Sequence, residues 1–318
     1  MGTPHAMDQS GGRVKILLTG ATGFIGGRLL DALVAAGHEV RAVSRRAPAA
    51  TGLLGRDGVE VVQGDVTDDD ALPDLLAGCA LAFYMVHSME GGPGDEDGFV
   101  ERDREAARAF GRAAKRARVS RIIYLSGLEP EYFVSKHLAS RNEVERELAR
   151  SRVPVTVLRA GFIIGSGSAG FQMLEGIVGR MSRMLIPPDM HHVTQPTYVD
   201  DVLAALCWCV DHPEQTAGRT FDLGAEEPVS YFDLIREFCL SRDRDVVFEE
   251  VPWVPNAAAA TYISAVSGLP YALVHALSEG LKVDLYAEND ALYRLAPELP
   301  RTPALDAMRM ACEEVERH

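Results

Sequence analysis

The chain has 318 residues, 46 of them Asp or Glu and 32 Lys or Arg, giving a formal net charge of −14; 47% are apolar and 7% aromatic. At this length folding buries about three-quarters of the surface of the unfolded chain, so no metal or disulfide is needed as a staple. The acidity argues against nucleic acid as a partner, because phosphate affinity needs a basic footprint. The longest apolar run, residues 203–210, falls far short of the roughly 18 residues of a membrane span.

Residues 1–12 lack the charged-then-apolar order of a secretory leader and read as a disordered lead-in or a cloning remnant. The run 14–19 (V-K-I-L-L-T) reads as a strand ending in glycine, and 25–36 as a helix stopped by Gly37. Further apolar runs follow at 39–43, 59–63, 81–86, 121–125 and 155–158, each the length of a strand buried on both faces. Helical patterns lie between them, notably 103–118. Strands alternating with helices predict an α/β fold, a doubly wound parallel sheet of the Rossmann type.

Two glycine-rich loops are expected, at 90–98 (acidic) and 165–170. The segment after 170 carries Met173, Met181, Met184 and Met190, which suit ordinary core packing better than an adaptable pocket. The alternation fades after residue 228, so 13–226 reads as the nucleotide-binding domain and 227–318 as a small, mainly helical substrate-side region. Within it, 253–277 is apolar and helical, fit to roof a site or meet a partner, and a homodimer is compatible with it. Cys79, Cys207, Cys209, Cys239 and Cys312 form no C-x-x-C pair and read as small buried hydrophobes of a reducing compartment, which predicts a cytoplasmic protein.

The strongest motif is T-G-A-T-G-F-I-G at 19–26, directly after the first strand and opening a helix. Gly20 and Gly23 permit a tight turn and close backbone approach, Gly26 permits close helix–sheet packing, and the helix N-terminus offers N–H groups to a diphosphate. Thr22, Phe24 and Ile25 complete the expected contact set. A carboxylate about 20 residues on would accept an NAD ribose hydroxyl. Instead the second strand ends in Ser44-Arg45-Arg46, and two guanidiniums suit a 2′-phosphate, so NADP(H) is favoured over NAD(H). Asp65, followed by Val66, either meets the adenine amino group or caps the next helix. Val86, His87 and Ser88 end the fourth strand, where open sheets bind ligands.

On these residues the chain resembles the extended and atypical short-chain dehydrogenase/reductase superfamily. The glycine turn, G-D-V-T-D, Y-L-S-G-L (124–128), V-T-V-L-R-A-G (155–161) and T-Y-V-D-D-V (197–202) follow its pattern in order. F-Y-M-V-H-S-M (83–89), S-K-H-L-A-S-R-N-E-V-E (135–145) and I-I-G-S-G-S-A-G-F (163–171) are similar to the NmrA-like, NAD(P)H-binding, YbjT-like subgroup. The resemblance covers roughly 13–226. It implies a catalytic Ser with Tyr-x-x-x-Lys, and substrate-side residues near Gly161, Phe162, Gln195 and Pro196.

Tyr132 and Lys136 fit that spacing, but Pro130 lies just upstream and a helix is expected to start near Ser135, after Tyr132. A start at Ser140 is the other choice. Residues 137, 141, 144 and 148 share one helical stripe, so His137 and Arg141 turn inward with Val144 and Leu148, while Lys136, Ser140, Glu143 and Glu147 form a solvated face. Counting back from V-T-V-L-R also brings the family's Tyr to His137 and its Lys to Arg141. Ser126 then orients a substrate carbonyl, His137 handles the proton and Arg141, always charged, binds cofactor. The adjacent His191 and His192 lack a third spaced ligand and predict no metal.

The expectation is an NADPH-dependent reductase of a small, largely apolar carbonyl or conjugated compound. An NADP-holding isomerase, epimerase or dehydratase is an alternative, as is a non-catalytic dinucleotide-binding redox sensor.

Overall fold

The computed structural model describes residues 13–86, 96–129 and 136–317. Seven strands form one sheet: β1 (Lys15–Thr19), β2 (Glu39–Ser44), β3 (Val59–Gln63), β4 (Leu81–Tyr84), β5 (Arg121–Gly127), β6 (Val155–Ala160) and an edge strand, Thr220–Leu223. Their spatial order is edge–β6–β5–β4–β1–β2–β3, and every neighbouring pair is parallel. Parallel neighbours need crossovers. These contain α1 (Phe24–Ala35), α2 (Leu72–Leu76), α3 (Glu96–Arg116), α4 (Lys136–Arg150), and α5 (Ala169–Val178) with α6 (Val199–Asp211). The predicted doubly wound α/β architecture is the observed one.

The chain runs outward from β1 to β3, then crosses back to β4 on the other side of β1. A crevice therefore opens at the carboxyl ends of β1 and β4, where such sheets bind ligands. One core, with Leu29, Leu30 and Leu33 of α1 and Val202 and Leu206 of α6, packs one side of the sheet. A second, with Phe110 and Ala114 of α3 and Val144 and Leu148 of α4, packs the other. A third joins α5 to the helices Tyr231–Ser241 and Ala304–Glu316 through Phe171, Phe238 and Met308. Met184 is buried in it and Met173, Met181 and Met190 pack against it, as core residues.

Several details depart from the sequence reading. Helix α3 starts at Glu96, so the end of the acidic glycine-rich stretch is helical. The mainly helical region after 228 also contributes a short strand, Val247–Glu250, which pairs in parallel with Arg183–Ile186. Two strands read as apolar each bury an arginine. Arg41 in β2 donates through Nη1 to the carbonyls of Asp74, Leu75 and Ala77 at 3.1, 2.9 and 2.9 Å, satisfying the end of α2.

The face of α4 expected to be solvated is largely covered. Ser140 is fully buried and donates to Asp103 at 3.2 Å. Glu147 is buried too, accepting from Nε and Nη2 of Arg108, both at 3.1 Å, which holds its carboxyl below the usual carboxylate range. The reason is that α3 lies along that flank of α4, giving the helix a buried surface wider than one stripe. All five cysteines are free thiols and four are buried; burial pushes Cys209 up to about 12. Among the described residues no helix is long and apolar enough to cross a membrane.

Candidate active site

The crevice is fixed by the end of β1. The Thr19 hydroxyl donates to the Phe83 carbonyl at 3.0 Å and accepts from the Met85 amide at 2.7 Å, tying β1 to the end of β4. The next residue, Gly20, has φ +70°, and a Cβ there would lie 2.7 Å from the Met85 carbonyl oxygen. Only glycine meets both conditions. Gly26 is more constrained, because its Cβ would stand 2.1 Å from the Gly20 carbonyl oxygen. Between them Gly23, extended at φ −83°, is the N-cap of α1 and brings no side-chain cap to the helix. The first-turn N–H groups thus remain for an incoming anion.

The cleft there is lined by Gly20, Gly23, Ile25, Gly26, Met85, Val86, Tyr124, Leu125 and Arg141. The structure thus brings together five turn and strand-end residues read from the sequence with Arg141, an α4 residue expected beside them. Gly127 explains the last. A Cβ at Gly127 would meet Leu138 Cδ2 at 2.6 Å, so its absence lets α4 rest on the end of β5. Arg141 then donates through Nη1 to the Leu125 carbonyl at 3.1 Å. Val144 and Leu148 face the core as expected, and α4 begins at Lys136 rather than at Ser140.

Met85, Tyr124 and Leu125 were missed. The period of two along Y-L-S places Tyr124 on the face of β5 that carries Ser126, a signal present in the sequence. Both are buried. The Tyr124 hydroxyl donates to the Arg141 carbonyl at 3.3 Å. Burial pushes its pKa up to about 12, against the Arg141 charge and the Ser126 hydroxyl, which both pull it down. His87, Ser88 and Tyr132 lie outside the described residues, as do the side chains of Lys136 and His137 at the start of α4.

At the end of β2, Ser44 is buried and its Oγ accepts from the Arg46 amide at 3.1 Å. Arg45 and Arg46 are exposed, and Gln63 donates to the Arg45 carbonyl at 3.2 Å. Asp65 does not cap a helix, since α2 begins only at Leu72; it accepts from the Thr67 amide and hydroxyl at 2.9 and 2.8 Å, closing a local turn. Val66 is buried, Thr22 exposed, and Phe24 carries the Arg28 guanidinium 4.4 Å above its ring.

Beyond β6, a Cβ on Gly161 would meet Leu128 at 3.2 Å and Leu285 at 3.4 Å, and the Phe162 ring fills the space beside Gly170. Gln195 is tied at both ends of its amide. Its Nε2 donates to the Ala225 carbonyl at 3.0 Å and its Oε1 accepts from the Ala287 amide at 2.8 Å, so its amide ties these segments together. Pro196 is buried, with its carbonyl accepting from the Ala225 amide at 2.8 Å. His191 pairs with Glu250 at 3.2 Å and His192 with Asp284 at 2.9 Å; no group of three or more His, Cys, Asp or Glu suited to a metal occurs among the described residues.

A parallel sheet with its glycine turn at the switch point defines a dinucleotide-binding protein of the doubly wound class. Residues 20–177 match a family model described as NAD(P)H-binding. The chain is similar to sterol demethylase protein B of Methylococcus capsulatus, 31% identical over 38% of each chain. It is 22% identical to 2-alkyl-3-oxoalkanoate reductase of Shewanella oneidensis, over 89% of this chain and 80% of that one. Among solved structures it resembles the Citrobacter sp. triphenylmethane reductase complexed with NADP(H), at TM-score 0.72 and 20% identity, covering 93% of this chain and 99% of the other. The chain thus spans well under half of the first of these relatives and most of the other two.

Proposed function

We propose that this protein is an NADPH-dependent reductase of a small, largely apolar carbonyl or conjugated compound. The observation that carries the cofactor choice is the end of β2, where Ser44 turns the chain and two exposed arginines stand with no carboxylate among residues 44–46. The glycine turn fits the group, since Gly20 and Gly26 let the turn close on itself without Cβ atoms and α1 starts with no side-chain cap, leaving its first N–H groups for a diphosphate.

In this reading the first turn of α1 binds the diphosphate, and Arg45 and Arg46 bind the 2′-phosphate. Bound NADPH supplies a hydride. Ser126 orients the substrate oxygen, and His137, one helical turn before Arg141, delivers the proton. Arg141, anchored on the Leu125 carbonyl, holds the cofactor side of the cleft. The part of the chain after residue 226 closes the substrate side.

The test is NADPH consumption against quinones, ketones and enones, followed by loss of nicotinamide absorbance. Turnover of none of them, with NADPH still bound, would favour the redox-sensor alternative. Arg45→Ala/Arg46→Ala is expected to weaken NADPH binding by about 10- to 100-fold, as charge-assisted hydrogen bonds of ~1.5–3 kcal/mol are lost, and to leave NADH binding nearly unchanged. Equal losses for both cofactors would remove the basis for the preference. His137→Phe is expected to lower kcat by about 100-fold or more with little change in cofactor Kd; unchanged turnover would take His137 out of the proton path.

A further inference from the structure

We propose that Tyr124 is a cofactor-binding residue, its hydroxyl hydrogen-bonding, beside the Arg141 guanidinium, to the nicotinamide-side ribose of a bound dinucleotide. This rests on the dinucleotide-binding reading above and adds to it a residue and the chemical group it meets. Tyr124 lines the same cleft as Gly20, Gly23 and Gly26. It stands on β5 two residues before Ser126 and on the same face, level with Thr19 and across β4 from the glycine turn, on the way from that turn to the end of β5 where the reaction is placed. In a dinucleotide, the group joining the diphosphate to the nicotinamide ring is a ribose.

The chemistry of the phenol matches a sugar hydroxyl rather than a phosphate. Burial keeps it neutral around pH 7. A neutral phenol has one donor and an acceptor oxygen. Its bond to the Arg141 carbonyl is long at 3.3 Å and uses the donor; the Ser126 hydroxyl faces the oxygen, whose second lone pair is able to accept from a sugar hydroxyl. The anionic parts of the ligand are already matched by the helix N-terminus and by arginine. The ring itself is held, with its centroid 6.1 Å from that of Tyr84, which in turn packs edge-on against Phe110 at 4.9 Å.

The experiment compares two ligands on wild type and Tyr124→Phe by calorimetry, with thermal melts of the unliganded proteins. NADPH contains the nicotinamide-side ribose, whereas adenosine 2′,5′-bisphosphate keeps the 2′-phosphate and lacks that sugar. Loss of one net hydrogen bond predicts an NADPH Kd raised about 3- to 10-fold in the variant, with the bisphosphate Kd unchanged. Equal weakening of both ligands would mean a general disturbance of the fold and would overturn the proposal. An unchanged NADPH Kd would overturn it as well. Failure of wild type to bind either ligand would instead strike the dinucleotide reading itself, and with it this inference.

Discussion

Gly26→Ala is expected to raise the Kd for NADPH on the order of 100-fold while the protein still folds. The added methyl carbon would stand 2.1 Å from the Gly20 carbonyl oxygen and 2.7 Å from the carbon that bears it. Neither neighbour is the end of a flexible side chain, so the backbone of the turn must move. Gly20 in turn is trapped from the other side, where the Met85 carbonyl sits 2.7 Å from its own Cβ position. The turn has no slack in either direction. Shifting it withdraws the first-turn N–H groups from the anion, and charge-assisted bonds of ~1.5–3 kcal/mol each are at stake. Two such bonds weakened together account for a factor of roughly 100. Overpacking itself costs about 1–3 kcal/mol, which a protein of this size tolerates. Titration with NADPH and a melting curve separate the two effects. A variant that binds normally would show that the turn has another conformation available, and the close-approach account would fail.

That turn was legible because its causes are local. Strand, glycine spacing and helix all lie within residues 15–35, and the constraint on Gly26 comes from Gly20, six residues away. The sheet was legible for a similar reason, since each central strand is a short apolar run of its own. What was not legible depends on neighbours far along the chain. Glu147 and Ser140 looked solvated because helical periodicity knows only one stripe, and their cover is α3, with Arg108 and Asp103 some 39 and 37 residues earlier. The amide of Gln195 answers Ala225 and Ala287, the latter 92 residues away, a tie that position in the sequence does not announce. Tyr124 stood in plain view as part of a strand. Its place in the cleft required α4 to settle on Gly127, a close approach that no local pattern announces.

The buried arginine in β5 sharpens the same point and predicts the largest loss of stability. Arg121 opens the strand and is 5% exposed, in a run otherwise apolar through Leu125. Its Nη1 donates to the Cys209 carbonyl at 2.6 Å and to the Thr216 hydroxyl at 2.8 Å, and its Nη2 to the Val210 carbonyl at 3.0 Å. Two of these acceptors are carbonyls from the last turn of α6, which have no partner within the helix and carry its negative end. Arg121→Met keeps the apolar stem and removes the donors. The buried Val210 carbonyl then goes unsatisfied and that of Cys209 keeps only a long bond of 3.3 Å from the Thr216 hydroxyl; with ~1–3 kcal/mol for each such loss, about 3 kcal/mol is expected. In a protein of this size, with an unfolding entropy of ~2.1 cal/mol/K per residue, that lowers Tm by about 4–5 °C. Because Arg121 lies at the amino end of β5 and the cleft at the carboxyl end, the NADPH Kd of the folded variant should match wild type. A melting curve unchanged by the substitution would show that water or a backbone adjustment satisfies the end of α6, and the guanidinium would lose its structural role.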